Sequence, residues 1–171
     1  MPKAVVAYVK AVESVMLRIG KGLSIGGIVL LVFILLLEAI CRYAFNNPLE
    51  WSVELATFVM GTYFFIGGGY VLLTEGHVRM DALYSRWSPR KRAIADVATF
   101  FPVGVWLIVF LIGGIRNVEF SLSLGQHSQT PWAPPLAPIK IIMVVGVVLI
   151  LLQAMACFFR DLSIIRKKPI Q

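Results

Sequence analysis

Residues 22–41 read GLSIGGIVLLVFILLLEAIC, with a single charged side chain, Glu38, near the end. A helix rising 1.5 Å per residue needs about 20 such residues to cross a hydrocarbon layer about 30 Å thick. Residues 53–73, 93–115 and 139–159 repeat the pattern, which predicts four transmembrane helices. Strands of a membrane barrel would be half as long and would alternate in polarity. The first run is too long for a cleavable signal and no small-residue cleavage site follows it. Composition agrees: 58% of the 171 residues are hydrophobic and 15% charged, whereas soluble domains hold roughly 45–50% apolar and about 25% charged residues. The expected fold is therefore a single all-α membrane domain over residues 1–171.

Orientation follows from the basic residues. Thirteen of the 16 Lys and Arg lie in the N-terminal segment 1–21, in the second connection with its flank, or in the C-terminal tail 160–171. Only Arg42, Arg116 and Lys140 occupy the other two connections. The positive-inside rule then places both termini in the cytoplasm. The same distribution explains the net charge of +7 without a nucleic-acid surface, which would gather its cations into one patch. Tyr84 and Trp87 on the inner side, with Tyr43, Trp51 and Trp132 on the outer, are placed as interfacial aromatic belts. Cys41 and Cys157 fall at opposite faces of the bilayer, which excludes an intrachain disulfide.

Local signals set the boundaries. Asn47, Pro48 and Glu50 form a capping-box variant that predicts the start of the second helix. Ser88 before Pro89 predicts the start of the third, and Pro138 that of the fourth. Pro102 is expected to kink the third helix. Val5, Val9, Val12, Met16 and Ile19 share one helical face, which predicts an interfacial helix or a cytoplasmic extension of the first span. Met80, Leu83, Tyr84 and Trp87 repeat that stripe in the second connection. Residues 126–138 carry four prolines and are expected to be extended and stiff, as a spacer or a ledge for an extracytoplasmic partner. The two helix pairs show no internal repeat, so this chain alone does not make an inverted-repeat transporter.

Charged groups at membrane depth are the natural functional candidates. Glu38 lies about one turn from the outer end of its span, and Arg42, four residues on, shares its face; an ion pair is expected. Glu50, Glu54, Arg116, Glu119 and Lys140 fall near the same boundary and are candidates for an outer polar network. His77 and Asp81, four apart, are read as a structural tie, since two ligands are too few for a metal site. Gly22 and Gly26 have GxxxG spacing, and Gly67, Gly68 and Gly69 interrupt the second helix, where an interface is expected. No nucleophile motif or phosphate-binding glycine loop occurs, so no enzyme, cofactor or metal is expected.

Several segments, taken in order, carry a resemblance. They are Arg42-Tyr43, Trp51 with Glu54, and Glu75-Gly76-His77-Val78-Arg79-Met80-Asp81. Thr130-Pro131-Trp132-Ala133-Pro134, Pro138-Ile139-Lys140, Gln153 and Arg160-Asp161-Leu162 follow. Together, over residues 22 to 162, they resemble the small DctQ-type membrane subunit of tripartite ATP-independent periplasmic (TRAP) transporters. The resemblance implies two protein partners, a large membrane subunit and a periplasmic substrate-binding protein, within an ion-gradient-driven system for organic acid uptake in the bacterial inner membrane. It implies a bracing rather than catalytic role, with Arg42, Glu54, His77, Asp81, Trp132 and Lys140 as structural or interfacial positions. As the sequence ends at Gln171, recognition of the large subunit is expected to be non-covalent. Two other readings compete. An independent four-helix exporter or channel would use Glu38, and a redox-enzyme anchor would need histidines inside its spans, where this chain has none.

Overall fold

A computed structural model describes residues 3–74 and 87–165. Four helices account for most of it: α1 (Lys3–Ala44), α2 (Ser52–Leu73), α3 (Pro89–Ser123) and α4 (Ala137–Ile165). Each is long and apolar enough to cross a membrane, and each contains one of the four predicted spans. His77, Asp81, and Met80, Leu83 and Tyr84 of the predicted stripe lie outside the described residues, as do residues 166–171 of the basic tail.

The amphipathic start of the chain is the extension, not a separate helix. α1 runs unbroken for 42 residues, about 63 Å at 1.5 Å per residue. Its buried positions, Val9, Met16, Gly20, Ile34 and Glu38, recur at the spacing of a narrow coiled-coil seam. The apolar stripe therefore packs on protein: Met16 and Val9 are almost fully buried. The Tyr8 hydroxyl donates to the Leu152 carbonyl at 3.0 Å, and its ring meets Phe159 edge-on at 6.3 Å. The beginning of α1 thus lies beside the end of α4, and both described ends share one end of the bundle.

α4 is the hub, packing against α1, α2 and α3. Gly146 is where α2 comes closest, since an added Cβ there would lie 2.7 Å from the Phe65 backbone. Gly68 of α2 lies against Ile150 and Gly69 against Met16, each with only 2.8 Å for an added Cβ. Gly20 of α1 is covered by the Tyr70 ring. Leu107, Val147 and Ala154 form the buried apolar cluster, with Phe65, Phe100, Leu111, Ile150 and Leu151 packed around it.

α3 stands apart. Its covered positions, Ala93, Phe100, Gly104, Leu107, Leu111, Gly114 and Ser121, again make one seam at three- and four-residue spacing, and that seam lies on α4. Phe100 meets Phe158 at 4.5 Å between centroids, and Gly114 faces Val144. It reaches α2 through the Phe65–Phe110 stack at 6.3 Å. The helix runs on through Pro102. The arrangement is open, with large apolar side chains such as Phe33, Val105 and Trp106 left exposed along α1 and α3.

The helix ends differ from expectation in an instructive way. α2 begins at Ser52, with Trp51 before it and no side-chain cap bond. The Asn pair instead closes α1: Asn46 takes a left-handed conformation (φ 51°), and the Asn47 amide donates back to the Cys41 carbonyl at 3.0 Å. Asparagine tolerates that region better than other non-glycine residues. The Ser52 hydroxyl donates to the Leu49 carbonyl, so the turn preceding α2 is tied by its own serine. Ser88 occupies the extended cap position of α3, again without a side-chain cap bond.

The glycine contacts generate a paired prediction. Gly146→Ala should destabilise the chain by about 1–3 kcal/mol, because α2 must move to admit the methyl group. Gly22→Ala, where an added Cβ meets nothing within 4 Å, should leave stability within about 0.5 kcal/mol. Thermal unfolding in detergent micelles measures both.

Candidate functional site: the hairpin end of the bundle

The connection between α3 and α4 is folded back on itself rather than extended. α3 ends with Gly125 in the left-handed region (φ 56°). The Gln126 amide bonds the Ser121 carbonyl at 3.0 Å and the Gly125 amide that of Leu122 at 3.4 Å. This is the glycine-terminated closure common at helix C-termini. The chain then forms a short hairpin, with Leu136 N–H bonded to the Gln126 carbonyl and Ser128 N–H to that of Pro134, both at 3.0 Å. Thr130, Pro131, Trp132 and Ala133 make its tip, closed by the Ala133 amide on the Thr130 carbonyl, with proline at the favoured second turn position. Ala133 follows with φ 44°. Prolines offer carbonyls and no donors, so the cross-loop bonds come from the amides of Ser128 and Leu136, and Pro134 is buried. The expectation of an extended stretch is corrected accordingly: the segment is a closed hairpin.

Side chains fasten the hairpin to α2 and α4, and α4 in turn to α3. The Thr130 hydroxyl donates to the Glu54 carboxylate at the start of α2. Lys140, in the first turn of α4, donates to Asn117 Oδ1 of α3 at 2.8 Å and to Gln126 Oε1 of the hairpin at 2.7 Å. No carboxylate lies within ion-pair distance of Lys140 among the described residues.

Glu38 and Arg42 form the expected ion pair within α1, the carboxylate buried and the guanidinium half exposed. The charged candidates therefore do not make one network. Glu54 and Lys140 are each held by the hairpin, Glu38 and Arg42 by each other. Glu50, Arg116 and Glu119 make no hydrogen bond or ion pair among the described residues. Trp51 is half-buried at the entry to α2, and Trp132 is exposed at the hairpin tip. Gly68 and Gly69 face α4 and α1, and an added Cβ on Gly67 would lie 3.8 Å from Leu23 of α1, so these three face contacts within the chain. Cys41 and Cys157 are free thiols.

The residues that organise this end are not the charged ones alone. Asn117, Gln126 and Gly125 are neutral and lie on two elements. The signal was present only in part: Gly125 directly after an apolar helical run is a stop mark. Among the described residues no three His, Cys, Asp or Glu side chains stand close enough to hold a metal. The surface offers hydroxyl, amide, ammonium and carboxylate groups suited to binding and positioning.

The family model described as "Tripartite ATP-independent periplasmic transporters, DctQ component" matches residues 31–163. The chain belongs to this DctQ family. It is thus the small membrane subunit of a TRAP transporter, a multi-pass inner-membrane protein, as the resemblance implied. No match was found among curated proteins or solved structures. The match to the DctQ component begins inside α1 and ends near the close of α4, so it takes in the whole hairpin end.

The hairpin's attachment can be measured. Thr130→Val removes the donor to Glu54 and should speed amide exchange at Ser128 and Ala133 by up to about fivefold. Amides in the middle of α2 and α4 should keep their rates.

Proposed function

We propose that this DctQ subunit is a non-enzymatic brace for the large membrane subunit of its transporter. In this reading the large subunit carries organic acids inward on an ion gradient, while the small one supplies a fixed wall. One observation carries the reading: α1 and α3 each bury a single seam and leave the rest of a long apolar surface exposed. α1 and α3 extend about 63 and 52 Å, well beyond the hydrocarbon thickness of about 30 Å. Such tall, one-sided helices suit a wall against which a second protein packs. The N-terminal surplus carries Lys10, Arg18 and Lys21 and is assigned to the cytoplasmic side. The hairpin end then faces the periplasm, where Trp132 and the turn around it are available to the substrate-binding protein.

The large subunit's contact is assigned to the groove between α1, α2 and the start of α4. Gly22 and Gly26 line it, and an added Cβ at either would meet nothing within 4 Å. Small residues left open at a helix surface admit the close approach of another helix in lipid. An exporter built on Glu38 is disfavoured, because that carboxylate is already paired with Arg42 and no closed helical barrel surrounds it.

Purification of the tagged chain in mild detergent, followed by mass spectrometry, tests the proposal. The expected result is a stoichiometric large permease. Gly26→Leu should lower its recovery by about fivefold or more through steric exclusion. Glu38→Gln should leave uptake by the complex within about twofold, as expected for loss of a partly solvated ion pair. A chain that purifies without a permease and transports alone in liposomes, with Glu38→Gln inactive, would overturn the reading.

A further inference from the structure

A second groove, of about 350 Å³, runs between the hairpin-side halves of α3 and α4. It differs chemically from the one assigned to the large subunit. Trp106 and Val109 wall it on α3, and Met143 and Val147 on α4. Trp106 lies flat on Phe110, with centroids 5.3 Å apart and 10° between planes. Its floor exists because α3 carries Gly113 and Gly114 there: an added Cβ on Gly113 would meet nothing within 4 Å. The mouth is polar, formed by Asn117 and Lys140.

The charge at that mouth is uncompensated. An ammonium offers three donors, and Lys140 places two of them on the neutral oxygens of Asn117 and Gln126. Those amides fix the ammonium in position without neutralising it, and among the described residues no acid pairs with it. From Asn117 to Trp106 the groove follows eleven residues of α3, about 16 Å. That is the thickness of one leaflet's hydrocarbon, half of about 30 Å. A fixed cation at the interface, above an apolar slot one leaflet deep, matches one molecule: a phospholipid with its phosphate on Lys140 and an acyl chain along Gly113.

We propose that this groove is a structural phospholipid site. The lipid fills the cleft that α3 leaves against α4, and so stiffens the one helix whose packing is almost wholly on α4. The inference needs only the membrane-spanning fold, and stands or falls independently of where the large subunit docks.

Native mass spectrometry of the full chain, extracted from its membrane in mild detergent and titrated with phosphatidylglycerol, provides the test. One retained lipid per chain is expected. Lys140→Gln should weaken binding by about fivefold or more, the worth of one interfacial cation, and Lys140→Arg should restore it. Gly113→Leu should abolish retention from the other end of the site by filling the slot, with no atom nearby to clash. Equal lipid retention by the wild-type chain, Lys140→Gln and Gly113→Leu would overturn the proposal. So would efficient cross-linking of a Gly113→Cys variant to a neighbouring membrane protein, since a helix would then occupy the slot.

Discussion

The rest of this structure depends on how closely α2 can approach α4 at Gly146. In lipid there is little hydrophobic gain from bringing two apolar helices together, so association rests on close packing and on polar contacts. A single hydrogen in place of a side chain lets the Phe65 backbone lie directly on α4. Gly68 and Gly69 then lie against Ile150 and Met16, and Tyr70 covers Gly20. The long first helix is thereby held along its cytoplasm-assigned half by the same contacts that join α2 to α4. α1 and α2 pack on each other as well as on the hub, whereas α3 packs almost wholly on α4, and much of its apolar surface stays open.

The same register decides the chemistry at the hairpin end. Because α2 and α4 both begin at this end of the bundle, Glu54 and Lys140 hold the hairpin by Thr130 and Gln126. Neutral partners matter here. A carboxylate in place of Asn117 or Gln126 would cancel the Lys140 charge, whereas amides orient it and leave its field intact. Burial costs a polar group unless it is bonded, and the hairpin meets that demand in part by pairing the Ser128 and Leu136 amides across the loop.

The two grooves have similar apolar linings but suit the different partners proposed for them. The one beside Gly22 and Gly26 has no charged residue in its lining and an open small-residue surface, which suits the flank of another helix. The one beside Gly113 is capped by a fixed cation and is one leaflet deep, which suits a lipid. A subunit placed between a membrane and a larger protein needs both kinds of surface. One is lined by α1, α2 and the start of α4, the other by α3 and α4.

Much was legible from residue order alone. Four runs of about 20 apolar residues require four spanning helices, because a backbone in lipid must satisfy its own hydrogen bonds. The Glu38–Arg42 pair followed from four-residue spacing on one helix, and the family from motifs in a set order. These are local or one-dimensional properties. What only the tertiary structure decided was which helix is the hub, which glycines are covered and which open, and that Asn117, Gln126 and Lys140 meet. Helix faces in a membrane protein are apolar all round, so hydrophobic pattern does not say which side meets protein and which meets lipid. The proline-rich connection misled for a related reason. Proline content sets the conformations of single residues, whereas the hairpin is held by bonds between Gln126 and Leu136 and between Ser128 and Pro134, pairings that exist only once the chain has turned.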